Sequence, residues 1–202
     1  MKRILLLIAV LGMVLGAGAF SLFAGENGQT STAASAAVKS DNRQAFLDDL
    51  KDIEEKMVGL AEATPQDKYT WRPGEGVRSV SEVFLHLASG YFGFPSLWGV
   101  QPPAGFEFKG FDKSTTDKAK IIQLMKQSCA HMRGAVEKIS DADLEKPVNF
   151  FGTKTTVNGV LFIIAAHLHE HLGQSIAYAR MTGVVPPWTA ARQAKPAAAP
   201  EK

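Results

Sequence analysis

The chain has 202 residues, 46% of them hydrophobic and 21% charged, with a formal charge of +2. That is enough apolar material for one compact core with appendages. The near-neutral balance argues against a nucleic-acid binder, which would carry a basic face, and the single cysteine, Cys129, excludes an intramolecular disulfide framework.

The first 24 residues carry only Lys2 and Arg3 as charges, then an apolar run from Ile4 to Leu15, then the small residues Gly16 to Ala19. A basic start, an apolar middle and an Ala17-Gly18-Ala19 triplet are the pattern of a signal peptide. The uncharged stretch continues through Ala24, close to the ~20 residues that span a bilayer, so an uncleaved anchor tethering the protein to the membrane is the alternative. Export to the periplasm or beyond is the expected outcome. Loss of residues 1–24 takes the formal charge to zero, with no membrane span expected in the mature domain. Residues 25–40, rich in Gly, Ser, Thr and Ala, cannot bury enough surface to order themselves and read as a flexible linker. Residues 189–202 read as a disordered tail for the same reason, leaving 41–188 as the folded part.

Within that part four segments carry helical periodicity. The first places Phe46, Leu50, Ile53, Met57 and Leu60 on one stripe and stops at Thr64-Pro65. The second opens with Ser79-Val80-Ser81-Glu82, a capping box, presents Val83, Leu87 and Tyr91 with Phe84 beside them, and ends through Gly90, Gly93 and Pro95. The third, about 116–138, has Ile122, Met125, Cys129, Met132, Val136 and Ile139 in heptad register. The apolar stripe there makes Cys129 an inert buried thiol. The fourth, about 157–181, has Leu161, Ile164, Leu168, Leu172 and Ile176 on its apolar face and is stopped by Gly183 and Pro186-Pro187. No segment shows sustained period-two alternation, so no strand is expected. Four amphipathic helices bury their stripes most economically against one another, which predicts an all-α, four-helix up-down bundle. The linkers 65–78 and 96–113 are long, hold Trp71, Phe106, Phe108 and Phe111, and are expected to cover a site.

The stretch His167-Leu168-His169-Glu170-His171 is the most informative in the chain. On a helix only His167 and His171, four apart, share a face, while His169 points roughly 200° away and is expected at the surface. Two imidazoles at that spacing can converge on one cation, and a third ligand is needed for a tight site. His86, three residues past Val83 on the second helix, is the candidate. Three neutral imidazoles leave coordination positions for water or substrate, the layout of a catalytic site. Gln174 looks out from the same face and is placed to hydrogen-bond a ligand histidine, and Glu170 lies at its flank, either beside the site or in solvent. Trp71 and Tyr91 are candidates for a substrate pocket. Glu82 is accounted for by its cap, and His131 has no metal-like partner nearby. There is no H-E-x-x-H, P-loop, G-x-S-x-G or paired-cysteine motif.

Taken together, Tyr69-Thr70-Trp71-Arg72-Pro73, Ser79-Val80 through His86-Leu87, and His167 to His171 with Gly173-Gln174 and Gly183-Val184-Val185-Pro186-Pro187 resemble the DinB-like superfamily of four-helix-bundle metalloproteins, also called DinB/YfiT-like. The resemblance covers about residues 42–188. It implies a divalent metal (zinc, nickel, iron or manganese) on His86, His167 and His171, and an activity akin to thiol-dependent relatives such as mycothiol-dependent maleylpyruvate isomerase and bacillithiol transferases. The export signal sets this chain apart from the usual cytosolic members. The expected function is a metal-dependent small-molecule hydrolase or thiol transferase, with a non-catalytic metal- or ligand-binding envelope protein as the alternative. The expected partner is a small-molecule substrate or ligand, with a homodimer left open and no nucleic acid.

Overall fold

The computed structural model describes residues 42–194. The expected signal peptide, the expected linker and the part of the expected tail from residue 195 lie outside the described residues. Four long helices, α1 (Asn42–Ala63), α2 (Val80–Gly93), α3 (Lys118–Glu137) and α5 (Val157–Met181), make a bundle. A short α4 (Asp141–Leu144) and a hairpin of β1 (Pro147–Phe150) and β2 (Thr153–Thr156) lie between α3 and α5, and α6 (Pro187–Gln193) follows. No helix among the described residues is long and apolar enough to cross a membrane.

Each helix begins and buries as its residues dictate. All five stripe residues of α1 are buried, and its end at Thr64 is secured by the Thr64 hydroxyl donating to the Leu60 carbonyl at 2.7 Å. On α2 the Ser79 hydroxyl accepts from the Glu82 N–H while the Glu82 carboxylate accepts from the Ser79 N–H, closing the capping box. The Asp117 side chain caps α3 and the Thr156 hydroxyl caps α5. In α3 the buried stripe starts at Ile121 rather than Ile122, then follows the expected Met125, Cys129, Met132 and Val136. Cys129 is buried, and burial pushes its thiol well up, as expected of an inert core cysteine.

α1 packs on α3 and α5, and α2 packs on the same two helices, so α1 and α2 face each other across the bundle. A connection from one helix to its diagonal neighbour must cross the end of the bundle, which is why the linker between them is long. That linker is nonetheless fixed. The backbone N–H groups of Val80 and Ser81 donate to the carbonyls of Trp71 and Tyr69, and the buried Tyr69 hydroxyl donates to the Ala61 carbonyl at 2.7 Å.

Two elements depart from expectation. The hairpin forms where no strand was expected: β1 alternates exposed and partly buried residues over only four positions, too few for the period to stand out. α6 takes in residues 189–193, assigned by composition to the tail. Pro187 starts this helix close to Gly59 of α1, and the partly buried Trp188 packs on the core, so its first turn is anchored while residues 190–193 stay exposed.

Candidate metal centre

α2 and α5 run antiparallel, the Tyr178 hydroxyl donating to the Arg78 carbonyl at one end while the Phe94 ring meets the flank of His167 further along. Between these contacts His86 Nε2 lies 3.1 Å from His167 Nε2, which lies 3.0 Å from His171 Nε2. The ligating nitrogens of all three are within 4.8 Å of one another, the single such group among the described residues. His171 is buried at 6% exposure, and His86 and His167 are partly buried.

Hydrogen-bond direction along α5 decides which nitrogen His171 offers. The Arg78 carbonyl can only accept, so the Tyr178 O–H donates to it. The Tyr178 oxygen then accepts from Gln174 Nε2 at 3.0 Å, which turns the Gln174 carbonyl oxygen toward His171 Nδ1 at 2.7 Å. His171 therefore carries its proton on Nδ1 and presents the Nε2 lone pair to the cluster. His167 Nε2 holds at most one proton and cannot complete hydrogen bonds to both neighbouring nitrogens when all three rings are neutral. Three nitrogens brought this close instead suit a shared cation: two of them about 3 Å apart can both sit about 2.1 Å from one ion, the usual metal–imidazole distance.

The electrostatics keep ligand lone pairs free. Burial, then the Arg78 charge and the two neighbouring rings, brings His86 down to about 4. Burial, then His171 and Arg78, brings His167 down to about 4 against an opposing pull from Glu170. Both rings are neutral at physiological pH, as metal ligands must be.

The remaining candidates fall as follows. His169 is exposed and pairs with Asp49 of α1 at 2.8 Å, off the cluster, as its place on the helix predicts. Glu170 is exposed and reaches the site only through its field on His167. Gln174 lies beside the cluster, its side-chain oxygen 2.7 Å from His171 Nδ1. Trp71 lies edge-on to Tyr178, ring centroids 5.3 Å apart, and so braces the relay to His171. Tyr91, expected on a pocket wall, is instead packed in the core at 4% exposure: it falls on the inward stripe of α2 and burial raises its phenol. Phe106 and Phe111 of the long loop pack on Phe92 of α2, and Phe108 on Phe94. His131 packs against Phe92, away from the three histidines.

Sequence reasoning missed Tyr178. Its signal was present, since it lies four residues past Gln174 and seven past His171, the same helical face, but its role depends on the Arg78 carbonyl of another element.

A helical bundle whose interior gathers three neutral imidazoles from two antiparallel helices is the class that fold and site define. The chain belongs to the DinB superfamily, whose family model matches residues 49–175. Among solved structures it is similar to a DinB-like protein from Bacillus cereus, with a TM-score of 0.63 and 19% identity over 71% of this chain and 95% of that one. It is also similar to YfiT from Bacillus subtilis, described as a probable metal-dependent hydrolase with an unusual four-helix bundle topology, at a TM-score of 0.60 and 14% identity over 74% of this chain and 93% of that one. A third, the DinB-like YjoA from Bacillus subtilis, gives a TM-score of 0.56 at 19% identity over 70% of this chain and 93% of that one. At these identities the likeness concerns the fold. No curated protein matches the sequence.

Proposed function

We propose that this protein is an exported metalloenzyme in which His86, His167 and His171 hold one divalent cation for hydrolysis of, or thiol transfer to, a small molecule. The convergence of three ring nitrogens carries the reading. A divalent ion there would supply Lewis acidity toward a bound water or thiol. The protein's own part is to keep His86 and His167 unprotonated through burial, and to lock His171 in the Nδ1–H form through Gln174 and Tyr178. His169 is engaged by Asp49 and Glu170 faces solvent, so among the described residues no fourth protein ligand joins the three histidines. Three neutral ligands with positions left over favour chemistry above simple sequestration. Export rests on the basic, apolar and small-residue order of residues 1–24.

The test is elemental analysis of the purified protein after reloading with a mixture of Zn2+, Ni2+, Fe2+ and Mn2+, beside His86→Ala and His171→Ala. Near-stoichiometric metal in the wild type, removed by either substitution, is the expected result, and the retained ion then selects the conditions for a hydrolysis and thiol-transfer screen. A folded wild type that takes up no metal would end the proposal.

A further inference from the structure

Next to the histidines lies a cavity of about 490 Å³ whose walls are mainly phenyl rings: Phe94 after α2, Phe106 and Phe108 from the long loop, and Phe150 and Phe151 from the hairpin. Phe94 joins it to the metal centre, its ring 6.3 Å from His167 on one side and 5.4 Å from Phe150 on the other. No lining residue is charged.

Three observations mark this cavity as built rather than left over. First, Phe151 is 79% exposed and Phe108 48% exposed, so the protein keeps large apolar rings in water where a polar residue would serve folding better. Second, Phe151 occupies the first position of a two-residue hairpin turn with φ at 49°, followed by Gly152 at 90°. Such a turn wants Asn or Gly there, and a bulky side chain with left-handed backbone is strained, a condition that clusters at ligand clamps. The Asn149 side chain holds the turn by accepting from the Gly152 N–H at 2.7 Å. Third, a Cβ at Gly90 would meet the Phe94 ring at 2.9 Å, and one at Gly93 would meet Phe108 at 3.0 Å. Glycines at these helical positions let both rings approach the α2 backbone closely.

We infer that this cleft binds the uncharged aromatic body of the substrate while its reacting group lies at the three histidines, an inference resting on the metalloenzyme reading for its second half. Phenyl walls meeting at steep angles, 64° between Phe94 and Phe150 and 82° between Phe150 and Phe151, offer both faces and edges to a planar ring. The volume suits a small molecule of one to a few rings. A concave site that shares the Phe94 wall with His167 fits such a molecule better than a flat self-association surface.

The experiment is a fluorescence titration of the whole purified protein, metal-free and zinc-loaded, with 2-naphthol, which is uncharged at neutral pH. Saturable one-to-one binding is expected, weakened roughly tenfold or more in Phe108→Ala/Phe151→Ala, a loss of the size expected for removed ring contacts. Phe151→Asn, which suits the turn better than phenylalanine and so cannot act by unfolding, should weaken binding in the same direction. His169→Ala, off the cluster, should leave naphthol affinity within about twofold. Unchanged affinity in both phenylalanine variants would overturn the cleft while leaving the metal site standing. Phenylalanine-dependent binding in a protein that takes up no metal would sustain the cleft and overturn the metalloenzyme reading. Equally tight binding of 2-naphthalenesulfonate to the metal-free protein would overturn the uncharged class. The cleft would also fall if Phe108→Ala/Phe151→Ala turned a dimer into monomers in sedimentation, or abolished binding to phosphatidylcholine vesicles.

Discussion

Two histidines separated by one residue, His167 and His169, have opposite fates because a helix turns about 100° per residue. His169→Ala should therefore leave metal stoichiometry intact, whereas His167→Ala should abolish it; equal losses in elemental analysis would contradict the geometry. The relay behind His171 makes a finer claim. Gln174→Leu removes the acceptor of the Nδ1 proton and should weaken metal affinity roughly 10- to 100-fold in competition with a chelator, as is typical when a ligand's hydrogen-bond partner is lost. Gln174→Glu keeps an acceptor and should retain most of the affinity. If Gln174→Leu bound metal as tightly as wild type, the relay would be mere packing. The His167–His171 pair was legible from spacing alone because both rings lie on one turn-and-a-bit of one helix. Tyr178 was not, since its importance comes from a backbone carbonyl 100 residues away.

The helices carry local signals strong enough to be found without tertiary information: a capping box at Ser79, stripes at three- and four-residue spacing, and stops at Pro65 and Gly183. Ser79→Ala should cost about 1 kcal/mol in denaturant unfolding, the usual worth of a cap. Leu168→Ala should cost about 2–5 kcal/mol, since Leu168 is fully buried between the two site histidines in sequence and the cavity left cannot collapse without moving α5. The hairpin behaves differently. Its strands are four residues each, and its turn uses a residue that turn preference disfavours, so neither pattern nor propensity could announce it. That same conflict gives a measurable consequence: Phe151→Asn should raise the unfolding free energy by about 1 kcal/mol through relief of the left-handed backbone. A variant that is more stable but binds naphthol less well would show stability surrendered for a binding surface.

Over the whole molecule, burial of the cluster links folding to pH. His86 and His167 are held at about 4 in the folded protein, below the ordinary value near 6.5, so the unfolded chain binds their protons more readily. In the metal-free protein stability should therefore be full above about pH 6.5 and fall as pH drops toward 4. The Tm of wild type should decline more steeply over that window than the Tm of His86→Asn, and parallel curves would refute the linkage. By itself the sequence determined the four long helices, their inward stripes, the inert Cys129 and the exposed side of His169, because each depends on contacts or angles within a few residues. Only the tertiary structure decided that α1 and α2 lie diagonally, that α6 is ordered against α1, and that five phenylalanines from three segments meet beside His167. These outcomes depend on which surfaces compete for burial once the helices pack, and that competition is between residues far apart in the chain.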